Sequence, residues 1–363
     1  MKLFKCQGCS QLVYFENSKC EGCSRRLGYL PHDATISALE PQGQQWRALA
    51  SPGRTYRFCD NAQFDACNWL VADDWGERLC VACRHNRTIP NHTQPENLIL
   101  WRKLEVAKHR LFYTLLQLRL PLASRDDNPA AGLAFDFIAD TGTRGDKVMT
   151  GHDDGIITIA LREADDVERE QQRHDMREAY RTTLGHFRHE IGHYYWDRLV
   201  KNDASIDRFR KLFGDEREDY AAAFQRHYGQ GAKTTEWQAG FISAYASAHP
   251  WEDFAETWAH YLHIIDSLET AGSFGLQIRP KVDKTAALHT DVDFDPHHAQ
   301  SINQLIEAWL PVTFAANSLA RSMGQPDLYP FILSPTVIAK VGMVHDLIHD
   351  RVGRTVARST SGT

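Results

Sequence analysis

No cysteine occurs after Cys83, the last of eight in this 363-residue chain. That distribution excludes a disulfide framework through the whole protein and separates a thiol-rich first quarter from a thiol-free body. Long apolar runs are also lacking: none approaches the roughly 18 residues of a membrane-spanning helix. The start, Met1-Lys2-Leu3-Phe4-Lys5-Cys6, has no hydrophobic signal core. These absences predict a cytoplasmic protein with no membrane partner. Neither sign of charge is in large excess, with 41 Lys and Arg against 47 Asp and Glu, so no global positive field favours nucleic acid. What is present, 42% hydrophobic residues over this length, suffices for a substantial core and more than one domain.

The cysteines fall into two sets of four. Cys6-x2-Cys9 and Cys20-x2-Cys23 are paired knuckles separated by ten residues, a spacing that lets four thiolates surround one zinc ion. Cys59-x7-Cys67 and Cys80-x2-Cys83 use every remaining cysteine and predict a second tetrathiolate zinc. In a reducing compartment such knuckles hold metal rather than disulfides. Four-thiolate sites leave no open position on the metal, so these two ions act as structural staples or as part of a docking surface for a protein partner. Residues 1–30 are expected to form the first ribbon, and residues 31–95 the second module and a linker. The linker signal is Pro90, Asn91 and Pro95 between residues 87 and 96.

Beyond the linker, Leu100, Leu104, Ala107, Leu111, Leu115 and Leu118 recur at three- and four-residue steps and predict a scaffold helix. Residues 133–139 and 155–161 read as strands, and 166–200 as a helical stretch broken near 181–185. Further helices are expected near 299–323 and 336–350. His297-His298, in an irregular Asp-Pro stretch, is expected to be solvated, and residues 351–363 to be a disordered tail.

The second half of the 166–200 stretch carries His189-Glu190-Ile191-Gly192-His193. On a helical wheel Tyr180, Leu184, Phe187, Ile191 and Tyr195 share the packing side, while His186, His189 and His193 cluster on an open, polar one. Two histidines four apart can reach a single metal, with Glu190 beside them to activate water. By composition the pattern arises by chance about 0.04 times per chain. The alternative is a surface helix with solvated histidines. The extended His-x-x-Gly-x-x-His form is excluded, because Trp196 and Leu199 stand at its positions. A third ligand is therefore sought on the helix opening at Pro250, where Phe254, Trp258, Tyr261, Leu262 and Ile265 form a packing side and Glu252 and Glu256 face elsewhere. Such a carboxylate pair is often merely solvated. Next to a His-Glu-x-x-His helix, Glu252 is the natural third ligand and Glu256 the acceptor that orients a ligand histidine.

His189-Glu190-x-x-His193 followed by Glu252-x-Phe254-Ala255-Glu256 resembles the gluzincin pattern of anthrax lethal factor and Mlc titration factor A. Residues 185–196 and 243–252 extend the likeness to the bacterial putative zinc-binding metallopeptidase family, which has an amino-terminal zinc-ribbon region. The resemblance is specific at the two helices and weak in the segments joining them. It implies an α+β protein: a mainly helical zincin-like metallopeptidase domain with a small sheet, over residues 96–350, preceded by zinc-ribbon modules. It implies a catalytic zinc on His189, His193 and Glu252, in addition to the two structural ones, and peptide-bond hydrolysis by metal-activated water with Glu190 as general base. It implies that Tyr245, seven residues before Glu252, donates to the developing oxyanion; the alternative is a buried core tyrosine. His186 and His263 would stand close behind the ligands or at a substrate subsite, and strand 156–161 would pair with an extended peptide. A peptide or protein is then the expected substrate. The competing class is a catalytically silent zincin-like protein that binds a partner or nucleic acid through its ribbons. Retention of Glu190 and all three candidate ligands favours the enzyme.

Overall fold

The computed structural model describes residues 2–140, 147–175, 180–229, 235–282 and 284–360, with the side chains of 175, 235, 236 and 351–360 left out of the description. The chain divides into two units: Met1–Gln117 with Pro121–Gln172, and Leu118–Leu120 with Arg173–Thr363.

In the first unit, β1 (Phe4–Lys5) and β2 (Leu12–Val13) pair antiparallel beside the first cysteine knuckle. β3 (Leu27–Leu30), β4 (Thr35–Gln42), β5 (Gln45–Ala48), β6 (Thr55–Phe58) and β7 (Leu70–Ala72) form an antiparallel meander. Its inward positions, Leu30, Leu39, Ala48, Tyr56 and Leu70, make one apolar cluster. The division expected at residues 30/31 therefore falls inside a hairpin, where Leu30 pairs with Thr35. β8 (Asn86–Thr88) leads to α1 (Pro95–Gln117). This helix packs within the first unit: the Tyr113 ring lies 5.4 Å from Phe15, and that of His109 5.1 Å from Trp69. A stripe of buried aromatics shared between cysteine region and helix explains why residues 95–117 fold with what precedes them.

β9 (Ala134–Ile138), β10 (Gly151–Asp153) and β11 (Ile156–Ala160) join β8 in a four-stranded sheet of order β10-β11-β9-β8. The strand proposed to receive substrate is thus not an edge. β11 pairs antiparallel with β10 over Ile156–Thr158 and parallel with β9 along its length, so both sides of its first three residues are already taken. α2 (Asp166–Asp175) follows.

The second unit is mainly helical: α3 (Thr183–Leu199), α4 (Ile206–Phe213), α5 (Tyr220–Gly229), α6 (Pro250–Ser273), α7 (Ile302–Ser322) and α8 (Pro335–Thr360), with a short ribbon of β12 (Gln277–Ile278) and β13 (Thr290–Asp291). Together the units give the α+β class. α6 is the central element, packed against α3, α7 and α8. Its start is well marked: His249 caps it by accepting from the Trp251 N–H at 3.1 Å, and Pro250 takes the first helical position. Phe254, Trp258, Tyr261, Leu262 and Ile265 are all fully buried, and Trp258 stacks on Tyr195 of α3 with ring centroids 4.9 Å apart. Asp253, also fully buried, is held by Lys340 of α8 at 2.5 Å. The backbone of α8 stays helical as far as Thr360, into the stretch expected to be a tail; residues 361–363 lie outside the described residues. No helix among the described residues is long and apolar enough to cross a membrane.

His297, expected to be solvated, is buried, while its neighbour His298 is exposed. Burial opposes charge on the His297 imidazole, but Asp266 and Asp295 outweigh it and raise its pKa to about 9. A histidine whose pKa rises on folding stabilises fully below its ordinary value near 6.5, and that contribution is lost as pH climbs through the folded value. The unfolding free energy from denaturant titrations is therefore expected to fall between about pH 6.5 and 9 by an amount on the order of 3 kcal/mol, and His297→Gln should flatten this slope. An unchanged slope in that variant would assign the pH dependence to other groups.

Candidate metal centre

Thr182 caps α3 by accepting from the Gly185 N–H at 3.0 Å, and the helix then runs unbroken through His189, Glu190 and His193. Gly192 sets its distance from α6. A Cβ at that position would stand 2.9 Å from Ala255 Cα and 3.1 Å from Trp258 Cβ, so glycine permits a backbone approach that a larger residue would obstruct. The approach brings Glu252, in the first turn of α6, to the two imidazoles.

Three donor atoms converge there. His189 Nε2 and His193 Nε2 stand 3.1 Å apart, and Glu252 Oε2 lies 3.0 Å from the first and 3.5 Å from the second. A tetrahedral zinc with ordinary Zn–N and Zn–O lengths has donor–donor edges of about 3.3 Å, so the triangle fits such an ion. Glu252 Oε2 is buried and accepts no hydrogen bond despite its closeness to His189. That is the arrangement of atoms facing a common cation rather than each other.

The surroundings hold these donors in place. The His189 Nδ1–H donates to Glu256 Oε1 at 2.8 Å, and Ser243 Oγ donates to Glu256 Oε2 at 2.6 Å. This leaves the His189 Nε2 lone pair directed at the triangle. The Tyr220 hydroxyl, from α5, donates to Glu252 Oε1 at 2.7 Å. Trp251 covers His193 with ring centroids 3.8 Å apart, and Tyr245, which opens a 3-10 turn (Tyr245–Ala248), lies 5.7 Å from the His189 ring. The histidine face, expected to be open, is consequently buried: His193 retains 3% exposure and His189 9%.

Charge in this pocket is arranged for a cation. Burial works against the Glu256 carboxylate, but His189 outweighs it and brings its pKa to about 2. Glu252 is likewise held well below the usual carboxylate range, with His193 and His189 overcoming burial. His189 is pushed well above its ordinary value, because the two carboxylates outweigh its burial. The Tyr245 phenol is raised by burial and then by Glu252, Tyr220 and Glu190, and stays protonated at neutral pH. Glu190 is buried beside the triad, and among the described residues no hydrogen bond or ion pair engages its carboxylate.

Two residues assigned to the surroundings of the site have other neighbours or stand apart. His263 meets the Arg188 guanidinium, which also donates to Asp266, and His186 is half-buried near the start of α3, outside the converging donors. Tyr220 and Ser243 were missed by the sequence reading. Removing the Tyr220 hydroxyl frees one Glu252 oxygen, so Tyr220→Phe should weaken zinc binding about tenfold, read by competition with a chelator; unchanged affinity would remove Tyr220 from the site. A separate cavity of about 1000 Å³, bordered by Phe213, Trp237, Phe241, Ala244 and Ser247, includes none of the three donors.

In the first unit both cysteine sets also gather. Cys6 and Cys23 Sγ are 3.6 Å apart, as are Cys9 and Cys20, and Cys67 and Cys80 are 3.7 Å apart. The tetrahedral edge for four thiolates on zinc is about 3.8 Å.

Two imidazoles and a carboxylate converging from packed helices, with tetrathiolate clusters elsewhere in the chain, define a zinc-binding protein. The chain belongs to the family described as putative zinc-binding metallo-peptidase, whose model matches residues 97–347, and residues 3–94 match a zinc-ribbon domain. Uncharacterized proteins of Mycobacterium tuberculosis and Mycobacterium bovis are each 39% identical over 351 residues, covering 96% of this chain and 96% of the relative. No solved structure matches the chain significantly.

Proposed function

We propose that this protein is a zinc-dependent peptidase, with one zinc held by His189, His193 and Glu252 and two more held by the cysteine sets. The observation that carries the reading is the triangle of donor atoms, 3.0 to 3.5 Å on its edges, with the unengaged Glu190 carboxylate beside it. A bound zinc supplies a Lewis acid that acidifies water and polarises the scissile carbonyl. Glu190 takes the proton of the attacking water and returns it to the departing amine. Tyr245 keeps its proton at neutral pH and donates a hydrogen bond to the carbonyl oxygen as negative charge develops there. Glu256 holds the His189 ring, and Tyr220 holds Glu252, so that ligand geometry is set before substrate arrives.

Incubating the zinc-replete protein with a mixture of unrelated peptides and reading the products by mass spectrometry tests this reading. New termini that disappear with a chelator and return with added zinc are expected. A metal-loaded protein that leaves every peptide intact, across neutral and mildly alkaline pH, counts against peptidase activity.

A further inference from the structure

The second cysteine set has a fifth donor. His109, on α1, is buried, and its Nε2 lies 3.2 Å from Cys67 Sγ, 3.6 Å from Cys83 Sγ and 4.0 Å from Cys80 Sγ. For one nitrogen and three sulfurs around a tetrahedral zinc, the nitrogen–sulfur edges are about 3.6 Å and the sulfur–sulfur edges about 3.8 Å. The observed separations, with 3.7 Å between Cys67 and Cys80, cluster around those values. The other ring nitrogen is fixed: the His109 Nδ1–H donates to the Glu105 main-chain carbonyl at 2.6 Å. That anchor is the one metal-bound histidines ordinarily use, and in the neutral ring it turns the Nε2 lone pair toward the thiols. Glu105 Oε1 accepts from Lys108 at 2.9 Å and from Asn86 at 2.8 Å, while its Oε2 lies 3.7 Å from Cys83 Sγ, beside the same cluster. Cys59 completes the cluster; its Sγ also accepts from the Cys80 N–H at 3.4 Å.

Two tetrahedra can therefore be drawn on one shared face of Cys67, Cys80 and Cys83, with Cys59 as the apex of one and His109 as the apex of the other. We propose that His109 is an alternative fourth zinc ligand of the second centre, so that three thiolates and this imidazole hold the metal when Cys59 is lost. This rests on the reading that the second cysteine set binds zinc. It gives a histidine 26 residues beyond Cys83 a role in the metal module and makes α1 part of that module.

Zinc per chain in the purified full-length protein provides the test, with folding followed by circular dichroism. Cys80→Ser removes a corner of both tetrahedra and should lose about one zinc. Cys59→Ser should keep the wild-type count, with X-ray absorption at the zinc edge showing fewer sulfur ligands per zinc. Cys59→Ser combined with His109→Asn should lose about one zinc. Loss of one zinc from folded Cys59→Ser alone, or its retention in the double variant, overturns the proposal. A full count in Cys80→Ser overturns the zinc reading of the second set, and the proposal with it. His109→Asn alone gives a second measure that needs no cysteine variant: one zinc should pass to a chelator about tenfold faster than from wild type, and an unchanged release profile also overturns the proposal.

Discussion

Glu190→Gln is expected to retain its full zinc content and to lose peptide hydrolysis by about 100- to 10,000-fold, the range for removal of a positioned general base. The amide replaces the carboxylate with little change in volume and touches none of the three donor atoms, because the ligands are His189, His193 and Glu252. The metal triangle should therefore survive, and so should stability, since among the described residues Glu190 holds no hydrogen bond or ion pair that would be lost. The loss should fall in kcat with little effect on KM, because proton transfer is made in the transition state rather than on binding. Hydrolysis at the wild-type rate by a metal-loaded Glu190→Gln would exclude this residue as the base.

Gly192→Ala and Gly192→Val should destabilise the protein in that order, the first by about 1 to 3 kcal/mol. Helix propensity alone predicts the opposite sign, since alanine is favoured over glycine within a helix by about 1 kcal/mol. The two effects are separable because the close contact is with the backbone of α6: the added Cβ would meet Ala255 Cα at 2.9 Å, and a helix backbone cannot swing aside as a flexible side chain can. Relief requires α3 and α6 to move apart, which carries Glu252 away from His189 and His193. Zinc affinity should fall together with the denaturant midpoint, and valine should lower both further. A stabilised Gly192→Ala with unchanged affinity would show that helix separation does not set the site.

The site was legible where its chemistry lies on one helix. His189, Glu190 and His193 share a spacing that only a helix turns into a common face, and α3 is that helix. Glu252 could be reached because the Pro250 start signal and the apolar spacing of Phe254, Trp258 and Tyr261 mark a second helix. What lay between was not legible. Tyr220 stands on a short separate helix 32 residues before its partner Glu252, and no local pattern joins them. His109 sits on a helix whose leucine spacing reads as scaffold, and the burial of Glu105, Lys108 and His109 on that helix is visible only in the structure. The strands at 134–138 and 156–160 were found, but their parallel pairing and the flanking strand at 151–153 were not, because strand order depends on pairing across distant segments. Residues 96–117 were assigned to the body from the composition break at the prolines, and the family match begins at residue 97; what the sequence did not show is that Tyr113 and His109 also pack this helix on the cysteine region.

Zinc content by elemental analysis of the purified protein, wild type beside His189→Ala, bears most directly on the metal site at the centre of this mechanism. About three zinc ions per chain should fall to about two, with the cysteine-held pair unaffected, because His189, His193 and Glu252 form one site and removing one of three protein ligands empties it. A content of about two in both proteins, unchanged after zinc is added back and excess removed, would contradict a zinc site at His189, His193 and Glu252.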